Sequence, residues 1–355
     1  MSAEQAAAHV HPGLLNDTRS RRVLRYAVGS TLAMAVAMGI AWDLSFLTPV
    51  LSLTFLATPG PPPSLKKGLA FIATIAAACL VGLWVCKYLL GFPVVFFAIL
   101  GLLLLWLFYS KTGDTSPFLI TWLLIALLVL PMLAVQSPNL ARFVVRGIIL
   151  GSAATLLVVW VAYMLIPEPT PTGTEAEATA ASATAPKAPS SREECFQTAA
   201  TSTLVVLPLL LLFHLFELTG GILILVFVAL LSLQPAFAKS FKAGAALILG
   251  NVFGGFAAIV MFELLSIVPE FTFLILLTLF AGLFFGSRLM SDDPKAPLYG
   301  MAYSTLLLVI GSVTSSSSGD ATSKVYDRIF QIMIAVIYVV VAFGFLDRYR
   351  RARGR

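Results

Sequence analysis

The charges of this chain are spaced so widely that they divide it into membrane-length pieces. Runs free of Asp, Glu, Lys and Arg span 26–42, 44–65, 68–86, 88–110, 115–141 and 147–167. They continue at 195–216, 218–238, 243–262, 271–287, 296–319 and 329–346. A helix of about 20 apolar residues crosses the hydrocarbon of a bilayer, and a charge within it is costly. The runs therefore predict twelve transmembrane helices, six on each side of one interruption. Composition agrees. Only 11% of the residues are charged and 59% are hydrophobic, against about 25% charged in an ordinary soluble domain. Soluble folds are excluded, and the expected fold is an all-α polytopic membrane protein. Run 44–65 carries Pro59-Gly60-Pro61-Pro62-Pro63. Proline has no amide hydrogen to donate, so this helix should end near Thr58 and be short.

The interruption is rich in Pro, Ala, Thr, Ser and Glu and has almost no large apolar side chain. Such a composition cannot bury a core. The expected organisation is a disordered N-terminus (1–20), a first six-helix unit (21–166), a disordered linker (167–194), a second six-helix unit (195–347) and a basic tail (348–355). With the N-terminus placed in the cytoplasm, 18 of the 23 Lys and Arg fall on cytoplasmic segments and 5 on the other side. That asymmetry is the positive-inside pattern, so both termini are expected in the cytoplasm. The net charge of +6 then reflects orientation in a lipid bilayer, and no nucleic-acid partner is expected.

The halves read as copies. Asp43, between runs one and two, and Glu217, between runs seven and eight, lie 174 positions apart. Lys67 and Lys242, which open the third and ninth spans, lie 175 apart. Arg146 and Arg328, which open the sixth and twelfth, lie 182 apart. Units of six spans keep one orientation, so these would be two parallel six-helix repeats, with a substrate path expected between them.

Few residues are candidates for function. Lys67 and Lys242 stand at the cytoplasmic surface, either as snorkelling anchors or as capture points for an anionic substrate. Arg146 and Arg328 break the charge rule, being either interfacial groups or positive stations on an anion route. Asp43 and Glu217 are loop carboxylates or helix caps, or else carriers of a coupling proton. Glu263 is the acid nearest a membrane interior and is the third proton-coupling candidate. Asn251, among Gly250, Gly254 and Gly255, offers a polar group where small residues allow close helix contact. His214 is a lone histidine in apolar sequence. The five tryptophans lie near span ends, as an interfacial belt would have them. Cys79, Cys86 and Cys195 have no metal or redox spacing. No nucleophile, zinc or nucleotide motif is present, so neither an enzyme, a metal nor a cofactor is expected.

The stretch Pro49-Val50-Leu51-Ser52-Leu53-Thr54, then Pro59, Ser64-Leu65-Lys66-Lys67-Gly68 and Gly82, resembles the fusaric acid resistance and aromatic acid exporter superfamily. So does the closing helix of the first unit, Arg142 to Gly151. The resemblance covers roughly 20–165 and 195–347. It implies an inner-membrane efflux protein of Gram-negative bacteria that exports small organic, including aromatic, acids. It also implies a periplasmic membrane-fusion protein and an outer-membrane channel as partners, and is compatible with a homo-oligomer. Two departures stand out: many relatives carry a large cytoplasmic domain after the six-span unit, and an Arg on the third helix, which 70–82 lacks. Two alternatives stay open. The first is a major-facilitator-type transporter, although the loop after span two lacks that class's Gly-xxx-Asp-Arg-x-Gly-Arg-Arg type of motif. The second is a non-transporting membrane subunit that scaffolds an efflux complex.

Overall fold

The computed structural model describes residues 18–40, 42, 44–111, 115–167, 192–216, 222–233, 241–314, 330–331, 333–335 and 337–345. Side chains of 222–223 and 241–248 lie outside that description. The described residues contain helices and no strand. In chain order the helices are α1 (Thr18–Ile40), α2 (Leu47–Leu56), α3 (Leu65–Leu89), α4 (Pro93–Ser110), α5 (Pro117–Gln136) and α6 (Pro138–Leu165). The second half has α7 (Arg192–Leu215), α8 (Ile222–Ser232), α9 (Phe241–Ile267), α10 (Phe271–Leu289) and α11 (Ala296–Thr314). A last apolar helix, α12, covers Met333–Phe345.

Among the described residues, nine helices are long and apolar enough to cross a membrane. The three that are not, α2, α8 and α12, fall in the second, eighth and twelfth charge-free runs. The linker 168–191 and the tail from 346 lie outside the described residues. Helix α7 starts at Arg192, three residues before the expected start of the second unit.

Helix starts follow local chemistry. Proline occupies the first position of α4, α5 and α6, where its missing N–H would have had no intrahelical partner. Ser64 caps α3 by accepting from the Lys67 amide at 3.4 Å. Helix α2 stops at Leu56, just before Pro59, and the Thr58 hydroxyl donates to the Phe55 carbonyl at 3.0 Å. The extended segment that follows is pinned by α6: the Trp160 indole N–H donates to the Pro63 carbonyl at 2.9 Å. Hydroxyls from α2 and α6 meet where the short helix begins. Thr155 Oγ1 donates to the Thr48 carbonyl at 3.3 Å and to the Gly151 carbonyl at 2.8 Å. In an apolar surrounding, such bonds supply what water would otherwise provide.

The helices pack in pairs that recur with a shift of six. Within the halves, α1·α2 matches α7·α8, α3·α4 matches α9·α10, α3·α5 matches α9·α11, and α4·α5 matches α10·α11. Between the halves, α1·α10 matches α4·α7, and α2·α11 matches α5·α8. The main core runs without a break across both halves, from Tyr26 and Met34 through Leu124 and Val206 to Tyr303 and Ile310. Large apolar side chains such as Leu102, Leu157 and Phe280 are exposed. On a soluble protein such a surface would drive association; here it faces lipid.

Trp122 is 6% exposed and lies in the core beside Phe118. Helix α5 is covered by α3 and α6, so a position near its end is still interior. Trp84 and Trp106 are exposed. All three cysteines are buried.

Candidate functional site

A cavity of about 470 Å³ lies between the halves. One side is Val50 of α2, Lys111 at the end of α4, and Pro117, Ile120 and Thr121 of α5. The other is Val226, Phe227, Leu230 and Leu231 of α8 with adjoining Leu233, Asn251 of α9, and Met301, Ser304, Thr305 and Leu308 of α11. Both short helices contribute to the wall. Paired short or broken helices at corresponding places in two halves mark binding sites in transporter folds, and the volume is in the range of small-molecule pockets.

The polar end of the cavity is built by helix contact. At Gly254 a Cβ would overlap the Ala302 carbonyl oxygen and lie 2.8 Å from the Ala302 Cα. At Gly250 it would lie 3.1 Å from the Leu298 carbonyl oxygen. Hydrogen atoms at these positions let α9 lie against the backbone of α11. The contact buries Asn251, which is 6% exposed, and lets Thr305 Oγ1 donate to Asn251 Oδ1 at 2.8 Å. Ser304 donates to the Met301 carbonyl at 2.8 Å and Thr121 to the Pro117 carbonyl at 2.9 Å, so their hydroxyls keep acceptor capacity. Lys111 is half-buried and is the cation of the lining; no carboxylate is among the described lining residues.

A second polar cluster sits on the seam between α1, α10 and α11. Ser30 Oγ and Tyr303 Oη are 2.8 Å apart, and the Tyr303 hydroxyl donates to the Thr278 carbonyl at 3.3 Å. One turn before Ser30, Arg25 is 1% exposed and its guanidinium stands 4.2 Å over the Tyr163 ring of α6. The charge pattern of the sequence assigns Arg25 to the cytoplasmic N-terminal cluster; the fold carries it inside.

Among the described residues that the sequence singles out, only Asn251 lines the cavity. Lys67 is exposed on the first turn of α3. Arg146 and Arg142 are exposed on one face of α6. Glu263 is exposed within α9, which runs on to Ile267. The structure does not bring Lys67, Arg146, Asn251 and Glu263 together in the cavity. The Lys242 backbone is in α9, and its side chain lies outside the described residues, as do Asp43, Glu217 and Arg328. His214 stacks on Phe96 and meets Phe97 edge-on, with centroids 5.7 and 5.1 Å away, at the α4·α7 contact. Lys111, Thr121, Ser304 and Thr305 were missed. The triplet Tyr303-Ser304-Thr305 inside an apolar run was the available signal. Among the described residues no cluster of three or more His, Cys, Asp or Glu forms a metal site.

Fold and cavity together define a polytopic helical membrane protein with a solute-sized chamber between its halves. Residues 204–342 match the family of fusaric acid resistance protein-like sequences, consistent with the group that the sequence resembles. Residues 22–165 match a different family, described as a protein of unknown function (DUF2955). No curated protein and no solved structure matches the chain.

Proposed function

We propose that the chain exports small organic acids, aromatic ones included, across the bacterial inner membrane, and that the chamber between the halves is its substrate site. The observation that carries this is the chamber itself. Its walls are largely apolar, and its polar groups converge from α5, α9 and α11. The match of the second half to the fusaric acid resistance group supports the same reading. Twelve spans in two parallel repeats, with both termini in the cytoplasm, follow from the charge pattern, and the packing that recurs every six helices supports them. In that orientation the Lys111 end of the chamber faces the cytoplasm. Exposed Lys67 and Arg146, with Lys242 and Arg328, act as approach and exit stations, and Asp43, Glu217 or Glu263 couples a proton. A periplasmic membrane-fusion protein and an outer-membrane channel complete the route. The chain moves its solute without covalent chemistry.

A deletion strain should be sensitised to aromatic carboxylic acids, with wild-type rescue and no rescue by a Thr305→Val, Asn251→Leu double variant. Unchanged growth of the deletant over a panel of hydrophobic acids would remove the support for export. A reporter fused within 314–323 should be active only outside the cytoplasm; activity inside would invert the topology. A second reading, a major-facilitator-type transporter, is favoured by the shift-of-six packing, since halves of that class are parallel repeats.

A further inference from the structure

We infer that the chamber selects solutes carrying a hydrogen-bond donor of their own, an N–H or O–H group, and that the hydroxyl oxygens of Thr121, Ser304 and Thr305 read it. This rests on the export reading and narrows its substrates to organic acids that bear a second, hydrogen-donating group. Among the described lining residues these three carry the hydroxyls. Each has its hydrogen committed. Thr121 donates to the Pro117 carbonyl at 2.9 Å, Ser304 to the Met301 carbonyl at 2.8 Å, and Thr305 to Asn251 Oδ1 at 2.8 Å. Among the described residues nothing donates back to the three oxygens. Thr305 is 3% exposed, and the chamber is the open space that it borders. A hydroxyl oxygen has two acceptor lone pairs, so α5 and α11 present the solute with a set of acceptors, one from the first half and two from the second. The other polar side chains of the lining, Lys111 and Asn251, are engaged in further interactions of their own.

Such a set discriminates by the direction of the hydrogen bond and not by charge. A solute N–H or O–H seats against an oxygen that already has its own hydrogen placed, and nothing in the wall has to move. A solute group that only accepts meets lone pairs. It gains a bond only if a hydroxyl turns away from the carbonyl or amide oxygen that it now serves. In an apolar wall no water replaces the bond given up, and a buried polar group left without a partner costs more than a typical bond contributes. A hydrocarbon substituent gains from the apolar walls and leaves the oxygens as they are. For solutes of one size and one charge the order of affinity is therefore donor, then hydrocarbon, then acceptor.

The test uses the purified full chain in nanodiscs and three monoanions that differ at one ring position: 4-aminobenzoate, 4-methylbenzoate and 4-nitrobenzoate. The amino group donates, the methyl group is its apolar match in size, and the nitro group only accepts. Wild type should bind 4-aminobenzoate about tenfold more tightly than 4-methylbenzoate, the size of one good hydrogen bond, and 4-nitrobenzoate least. The double variant Thr121→Val, Ser304→Ala should bring the amino-to-methyl ratio down several-fold by weakening 4-aminobenzoate alone. Thr121→Ser keeps the oxygen and should keep the ratio. A merely structural role for these residues would weaken all three probes together, and that outcome would overturn the inference. So would an unchanged ratio in the double variant, or a wild type that binds the three alike; export through the chamber would stand in either case. If wild type bound none of the probes, the donor reading would fall together with the chamber as substrate site, and the deletion phenotype would judge export separately. Melting temperatures of the variants, expected within a few degrees of wild type, show that a lost ratio is not a lost fold.

Discussion

The α3·α5 pair of the first half and the α9·α11 pair of the second are built alike. Each relies on a glycine that faces an alanine carbonyl, Gly82 against Ala126 and Gly254 against Ala302. In the first pair the buried neighbours are apolar: Ile75, Ala78, Cys79, Trp122 and Leu130. In the second the contact holds Asn251 and Thr305 at 2.8 Å. A second contrast runs the other way. Arg25 of α1 is buried over Tyr163, while the spacing of 174 that relates Asp43 to Glu217 carries Arg25 to buried Ala199. In the second half Tyr338 of α12 donates its hydroxyl to the Val205 carbonyl at 2.8 Å. The two halves share a packing plan and differ in the few polar groups placed on it. Those differences, rather than the shared helices, locate the chemistry.

Steric substitution tests the shared plan most severely. Gly254→Val puts a branched side chain into the α11 backbone and should abolish recovery of monodisperse protein in size-exclusion chromatography. Gly82→Ala meets a movable Leu130 methyl at 2.7 Å and the Ala126 carbonyl oxygen at 3.0 Å. It should cost about 1–3 kcal/mol, the usual range of overpacking, and survive purification with a lowered melting temperature. Equal tolerance at the two glycines would break the comparison.

Arg25→Ala should destabilise by about 3 kcal/mol, because a large buried side chain leaves a void between α1 and α6. Arg25→Met fills the same space without the charge and should recover much of that, since replacing a buried ion by a packed apolar group is often nearly neutral. If both variants melt together, the charge rather than the volume matters at this site. Thr305→Val removes one buried donor and should cost about 1 kcal/mol, seen as a small fall in melting temperature. The smallest effect belongs to the exposed cations. Lys67→Gln and Arg146→Gln should leave melting unchanged and slow initial transport of an organic anion at low ionic strength. The slowing should vanish at about 0.5 M salt, as expected of screened surface charges. A loss that persists in salt would place these residues in direct contact with the solute.

The helices were legible because their boundaries are local. Charges, prolines and cap residues mark ends within a few positions, and Leu56 with Pro59–Pro63 shows how closely this works for α2. Asn251 was legible for a similar reason, as an amide set between glycines. Its partner was not. Thr305 lies 54 residues away, and nothing in the pattern of either run states that α9 and α11 touch face to face. Lys111 counted among cytoplasmic charges because sequence gives the depth of a loop and not what the loop leans over. Arg25 was hidden in the same way, by three neighbouring arginines that share its helix but stay outside the core. Trp122 shows the converse: closeness to a helix end does not expose a residue when the helix itself is central.

The bond from the Trp160 indole to the Pro63 carbonyl also makes the protein its own optical gauge. Indole emission shifts with hydration and with loss of a hydrogen-bond acceptor, and this indole is tethered to the segment on which α2 ends. With Trp42, Trp84, Trp106 and Trp122 replaced by phenylalanine, the remaining fluorophore would register any parting of α2 from α6. Stopped-flow mixing with a solute would then time the movement of the short helix against the passage of cargo, with no dye attached.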